Sequence, residues 1–118
     1  MTLDFRAKDT VILVTGDGMG QTDQELGHKL LKTYFRLIGE GEIYPGAICF
    51  YAAGVHMAVD GSPVLEELQA LENAGVPIVL CGTCLNHYQL QDKIAVGIQG
   101  GMTDIIEAQF RADKVITL

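Results

Sequence analysis

Val76-Pro77-Ile78-Val79-Leu80-Cys81-Gly82-Thr83-Cys84-Leu85 is the stretch whose reading decides the fold. An apolar run ends in two thiols, and a helix-forming segment starts at Leu85. A continuous apolar run bounded by turn signals suits a strand buried on both faces. A strand emptying directly into a helix is the unit from which parallel sheets with right-handed crossovers are built. The junction also matters chemically. Free backbone N–H groups and the positive end of a helix dipole favour a thiolate there.

The same alternation recurs on both sides. Upstream, Val11–Thr15 reads as a strand that empties into the glycine-rich loop Gly16-Asp17-Gly18-Met19-Gly20. A helix capped by Asp23 then runs to Leu37, with Leu26, Leu30, Leu31, Tyr34, Phe35 and Ile38 at helical spacing. Ala47–Ala53 is a second strand, with an irregular exit from Gly54 to Val59. Ser62 is the expected N-cap of the next helix, with Pro63 at its first position and Glu66 near a capping-box place. After the dithiol, a helix to about Leu90 leads to a strand at Ile94-Ala95-Val96-Gly97. The last helix starts at Thr103 or Asp104 and turns Ile105, Ile106 and Phe110 inward. Lys114–Leu118 is a fifth strand. The expectation is an α/β fold: a three-layer α/β/α sandwich of flavodoxin size around a five-stranded, mainly parallel sheet. One domain over 1–118 is expected, with residues 1–10 irregular.

A chain of 118 residues suffices for one core without disulfide staples. Its net charge of −7 argues against nucleic-acid and anionic-membrane partners, since neither offers counter-charge. No apolar run reaches spanning length and no leader opens the chain, which together predict a cytoplasmic protein. Three cysteines (Cys49, Cys81 and Cys84) make no disulfide scaffold and suit a reducing compartment.

Cys81 and Cys84 are the candidate reactive residues, because ligands gather beyond the carboxyl ends of parallel strands. Three chemistries fit them. Thioredoxin-like exchange wants a proline after the motif, yet Pro45, Pro63 and Pro77 all precede it. A zinc site would recruit His87 but lacks a fourth ligand. A persulfide carrier needs only one activated, reachable thiolate. Buried apolar fillers are the bland alternative. The loop Gly16–Gly20 misses the last glycine of a dinucleotide fingerprint, and no acidic residue closes the second strand. Asp17, Gly18 and Met19 therefore read as pocket wall, with Gly54, His56, Thr83, Asn86 and His87 as supporting positions. Either histidine is suited to shuttle a proton or to stabilise a thiolate. Cys49, between Ile48 and Phe50, reads as core. Neither a cofactor nor a resident metal is expected.

Cys81-Gly82-Thr83-Cys84-Leu85-Asn86 resembles the CGTCL(D/N) signature of the DsrE/DsrF-like family, closest to the DsrE-type domain of YedF-like proteins. Those proteins are described as sulfurtransferase-like and linked to selenium metabolism. Glu25-Leu26-Gly27 with Tyr34-Phe35, Gly54-Val55, Val59–Leu65, Gly75–Ile78 and Met102–Ile105 resemble further family segments in order. The resemblance implies the α/β/α layer, homotrimers or hexamers, and sulfur donor and acceptor proteins such as a TusA-like carrier. It matches Cys81 to the single cysteine of sulfur-relay relatives and Cys84 to the second cysteine of the CGTC subgroup. The physical reading prefers Cys84, so both stay open.

Two departures stand out. Ala52-Ala53 replaces an Asn-Ser pair, and Tyr88-Gln89 stands where relay relatives have Arg-Gly. No TusA-like segment precedes the domain, which leaves a stand-alone protein or an excised C-terminal domain. The expected function is a small sulfur carrier or sulfurtransferase-like protein using a cysteine persulfide. A non-catalytic oligomeric binding module with structural or regulatory cysteines is the alternative.

Overall fold

Strand alternation sorts the core into two halves. In β1 (Thr10–Val14), Ile12 and Val14 point to one face of the sheet and Val11 and Leu13 to the other, and all four are buried. The computed structural model describes residues 7–118. The expectation of an irregular start therefore lies outside the described residues for 1–6. Beyond them it is corrected, since Ala7–Asp9 forms a 3-10 turn and Thr10 already belongs to β1.

The remaining strands are β2 (Ala47–Phe50), β3 (Ile78–Cys81), β4 (Ile98–Gly100) and β5 (Lys114–Thr117). They pair in the order β4-β3-β2-β1-β5, every pair parallel. The chain steps outward from β1 to β4 and returns across the sheet to place β5 beside β1. Helices α1 (Gln24–Glu40), α2 (Leu65–Asn73) and α3 (Gly82–His87) share one face, where Leu31, Phe35, Leu68, Leu71 and Leu85 meet Ile48, Phe50 and Leu80. Each of these large side chains contributes about 1.5–3 kcal/mol by leaving water. Helix α4 (Met102–Arg111) lies on the opposite face, its Ile105 packed with Val11, Leu13, Ala47, Cys49 and Cys81. The three-layer α/β/α architecture is therefore present, with unequal outer layers.

Helix α1 starts where its sequence says, with the Asp23 carboxylate accepting the Leu26 N–H at 3.0 Å. Other expectations shift. Ser62 is not the cap of α2. Its hydroxyl donates to the Met57 carbonyl at 2.6 Å and accepts the Val64 N–H at 3.2 Å, so it closes a turn and the helix waits until Leu65. The fourth strand is Ile98–Gly100 rather than Ile94–Gly97. Ala95 and Val96 both donate to the Ala58 carbonyl, and Gly97 turns the chain with φ 82° while its N–H binds Glu72 at 2.7 Å. A side chain at Gly97 would press on Ile78 and Leu80, so the turn is fixed by β3 beneath it. Finally, Ile106 and Phe110 do not face inward. Of the three expected apolar residues only Ile105 is buried, and Phe110 is 86 % exposed.

Candidate functional site

Cys81 ends β3 and is the N-cap residue of α3, and Cys84 follows three residues later. This short strand-to-helix step places Cys81 at the last position of β3 and Cys84 in the first turn beyond the carboxyl end of the sheet, packed against the cluster that holds Cys81. Their environments differ sharply. Cys81 has no exposed surface and lies in the core under α4, whereas Cys84 is half-buried and touches both halves of the core. Cys49 is fully buried at mid-strand, and burial pushes its thiol up to about 11.

The Cys84 sulfur has one backbone donor, the Ala52 N–H at 3.1 Å. Ala52 sits just past β2 with φ 52°, in the left-handed region. That conformation costs an L-residue roughly 1–2 kcal/mol, and here it aims a backbone N–H at sulfur. The strand-helix junction was expected to lower the thiol pKa through the helix dipole. Helix α3 spans only six residues, and the balance goes the other way. Burial raises the Cys84 thiol, the Ala52 N–H draws it back, and the hydrogen bond and charge of Cys81 raise it again. The net position is above the ordinary thiol value.

The loops after β1 and β2 lie at the same carboxyl end of the parallel sheet as the thiol step. The Asp17 carboxylate accepts hydrogen bonds from His28 Nε2 at 3.0 Å and Gln24 Nε2 at 2.8 Å. Desolvation works against ionisation of Asp17. His28 and Gln24 outweigh it, with a smaller charge contribution from His56, and hold the carboxyl below its usual value. Gly18 is buried against α1, and the Met19 N–H donates to the Gly27 carbonyl at 3.0 Å. The segment Ala52–Ala58 winds into a 3-10 turn rather than an irregular exit. Within it, Gly54 lies so close to β1 that a side chain there would overlap the Val14 carbonyl.

His56 and His87 do not reach the thiols. His56 Nδ1 is 2.9 Å from the Ala53 carbonyl, and its ring lies 4.4 Å from that of Tyr88, which in turn lies 4.9 Å from His87. Thr83 and Asn86 are exposed on α3. Among the described residues, no three His, Cys, Asp or Glu side chains come together as metal ligands. A cavity of about 210 Å³ lined by Ile12, Tyr34, Ile38 and Ile116 contains none of the thiol-site residues, so it is not the thiol site.

Sequence reasoning missed His28 and Ala52. His28 was findable, since it lies one turn into the helix that the Asp17 loop feeds. Ala52 carried no signal, because its contribution is a backbone N–H set by an unusual φ.

A family model described as the DsrE/DsrF-like family matches residues 8–118. No curated protein matches the chain. Among solved structures, the ychN protein from E. coli is similar with TM-score 0.68 and 19% identity, over 92% of this chain and 97% of its own. MTH1491 from Methanobacterium thermoautotrophicum, a protein of unknown function, gives 0.68 and 20%, also over 92% and 97%. BT1422 from Bacteroides thetaiotaomicron, a conserved protein of unknown function, gives 0.67 and 13% over 98% and 100%. At these identities the likeness establishes the fold.

Proposed function

The chain belongs to the DsrE/DsrF-like family, and from that premise we propose that it is a sulfur carrier whose Cys84 thiol accepts and passes on a sulfane sulfur. One observation carries the reading: Cys84 alone of the three cysteines is open to a partner, and a backbone N–H is already directed at its sulfur. The thiolate is the nucleophile in such a transfer. Attack by Cys84 on the outer sulfur of a donor persulfide forms the new S–S bond and releases the donor thiolate. A second attack, by an acceptor thiolate on the outer sulfur now held by Cys84, returns the protein to its starting state.

The test is intact-mass spectrometry after incubation with a persulfide donor. One added sulfur is expected, at a rate that keeps climbing as pH passes the ordinary thiol range, because the Cys84 thiol is raised. The absence of any adduct under conditions that load a known carrier overturns the reading. A rate that has levelled off by about pH 8 contradicts a raised thiol.

The resemblance to YedF-like proteins extends the proposal to selenium as an alternative cargo, and to a TusA-like donor or acceptor. A reducing, cytoplasmic setting fits three free thiols. No described helix is long and apolar enough to cross a membrane. The partner assigned to the outer surface of α4 is a second copy of the chain. Met102, Ile106 and Phe110 repeat every four residues along that helix and are all exposed, and Ile98 and Val115 are exposed on strands of the same sheet face. An exposed apolar stripe of this kind marks an interface, and an uncharged contact suits self-association of an acidic chain. Sedimentation should show an oligomer for the wild type and a monomer for Phe110→Glu. A monomeric wild type rejects the assignment.

A passive binding module is favoured by one observation, the raised Cys84 thiol. It predicts that Cys84→Ser leaves partner binding unchanged and that the wild type never loads.

A further inference from the structure

We propose that Cys81 discharges the persulfide formed on Cys84, the two thiols closing to a disulfide while the carried sulfur leaves as hydrosulfide. This rests on Cys84 being the sulfur acceptor and adds a second fate for the sulfur it holds.

The geometry behind it is the inside–outside arrangement of the pair. Cys81 has no exposed surface and Cys84 is half-open, packed against the cluster that holds Cys81. A sulfur delivered by a partner must add to Cys84 on its open side. Cys81, fully buried in the cluster against which Cys84 packs, lies on the inner side of that thiol. Thiolate displacement at a disulfide-type sulfur wants attacker and leaving group in line, which an approach from the inner side allows. Cys81 is the extended N-cap residue of α3 and Cys84 lies in its first turn, three positions on. A disulfide between them needs Cβ atoms about 3.5–4.5 Å apart.

The alternative attack, by Cys81 on the terminal sulfur, would carry that atom inward. Cys81 is enclosed by Val11, Leu13, Ala47, Cys49 and Ile105, all buried, and a close-packed interior has no room for an added sulfur. Attack therefore falls on the inner sulfur. The Cys81 thiol gives up its proton and forms a bond to Cys84 Sγ, and the bond from Cys84 Sγ to the outer sulfur breaks. The outer sulfur departs with the electron pair and the proton as HS⁻. It is reduced from the sulfane to the sulfide level, and the two cysteine sulfurs are oxidised to the disulfide. No other oxidant is needed. An acceptor that arrives promptly takes the sulfur; without one, the pair releases sulfide and locks itself.

The test uses the full chain under anaerobic conditions. Wild type, Cys81→Ser and Cys81→Ala are loaded with inorganic polysulfide and desalted, and released sulfide and intact mass are followed with no added thiol. The alanine variant guards against poor folding with a buried hydroxyl. Wild type is expected to lose one sulfide per chain and finish two hydrogens lighter than the dithiol, whereas untreated wild type keeps the dithiol mass. The Cys81 variants should hold their sulfur about ten-fold longer or more, since the internal thiol reacts at high effective concentration. A wild type that holds its sulfur as long as the variants, or sulfur mapped to Cys81, overturns the discharge step and leaves Cys84 as a carrier. Failure of all three chains to load overturns the carrier reading, and this inference with it.

Discussion

Cys84→Ser is expected to lower sulfur loading to background, and Cys81→Ser to leave it in place. The difference follows from reach rather than from intrinsic reactivity. A serine hydroxyl cannot hold a sulfane sulfur, and with Cys84 gone the remaining thiols are both fully buried, Cys49 with its thiol pushed up to about 11. The Cys81 change removes no surface that a donor touches. It places a hydroxyl in the core beside Leu13 and Ile105, which costs about 1–3 kcal/mol of stability if the group finds no partner. Loading of Cys81→Ser must therefore be measured well below its melting temperature, beside Cys81→Ala. Equal loading by Cys84→Ser and wild type would remove Cys84 from the mechanism.

The largest effect on stability is expected at a residue with no chemistry. In Gly54→Ala the added methyl would overlap the Val14 carbonyl oxygen and lie 2.6 Å from its carbon, with the Thr15 nitrogen at 3.1 Å. These are backbone atoms at the end of a central strand, so no side chain can swing aside. Overpacking without relief costs about 3 kcal/mol or more, a large part of the 5–15 kcal/mol typical of a domain. A melting temperature lowered by roughly 10 °C or more is the outcome to look for. The substitution should also slow loading by Cys84, because Gly54 and Ala52 share one 3-10 turn and the displaced turn carries the N–H that faces sulfur. An unchanged melting temperature would mean that the turn does not press on β1.

Much of this architecture was legible in the sequence, for physical reasons. Buried parallel strands leave continuous apolar runs, so β1 and β3 were readable within a residue or two of their ends, while β2 stops at Phe50, three residues before the expected Ala53. Asp23 announced α1 because a cap is a local event. Edge elements were harder. Ile94–Gly97 has strand composition, but the Ala58 carbonyl claims two of its N–H groups and Glu72 claims a third, so pairing with β3 begins only at Ile98. Phe110 and Ile106 fit the apolar periodicity of a core helix. They are exposed here because a single helix covers that face of the sheet, and periodicity alone does not reveal which apolar stripe meets the sheet.

For the site, the sequence located the dithiol but not its order. The physical preference for Cys84 and the family match to Cys81 rested on different arguments. Burial separates them, since one sulfur lies inside the core and the other at its edge. The helix dipole does not govern the Cys84 thiol. A six-residue helix replaces the expected longer one, and the donor that faces the thiol comes from the neighbouring strand's exit at Ala52. The histidines likewise pack edge-on against Tyr88 instead of serving the thiol.

The central claim is that Cys84 is the thiol that first receives sulfur. Wild-type protein mixed with a persulfide donor, quenched at short times by alkylation and mapped by peptide mass spectrometry, tests it directly. The account predicts that the earliest added sulfur is on the peptide fragment assigned to Cys84, with Cys81 and Cys49 still unmodified. Sulfur appearing first on Cys81 would contradict it.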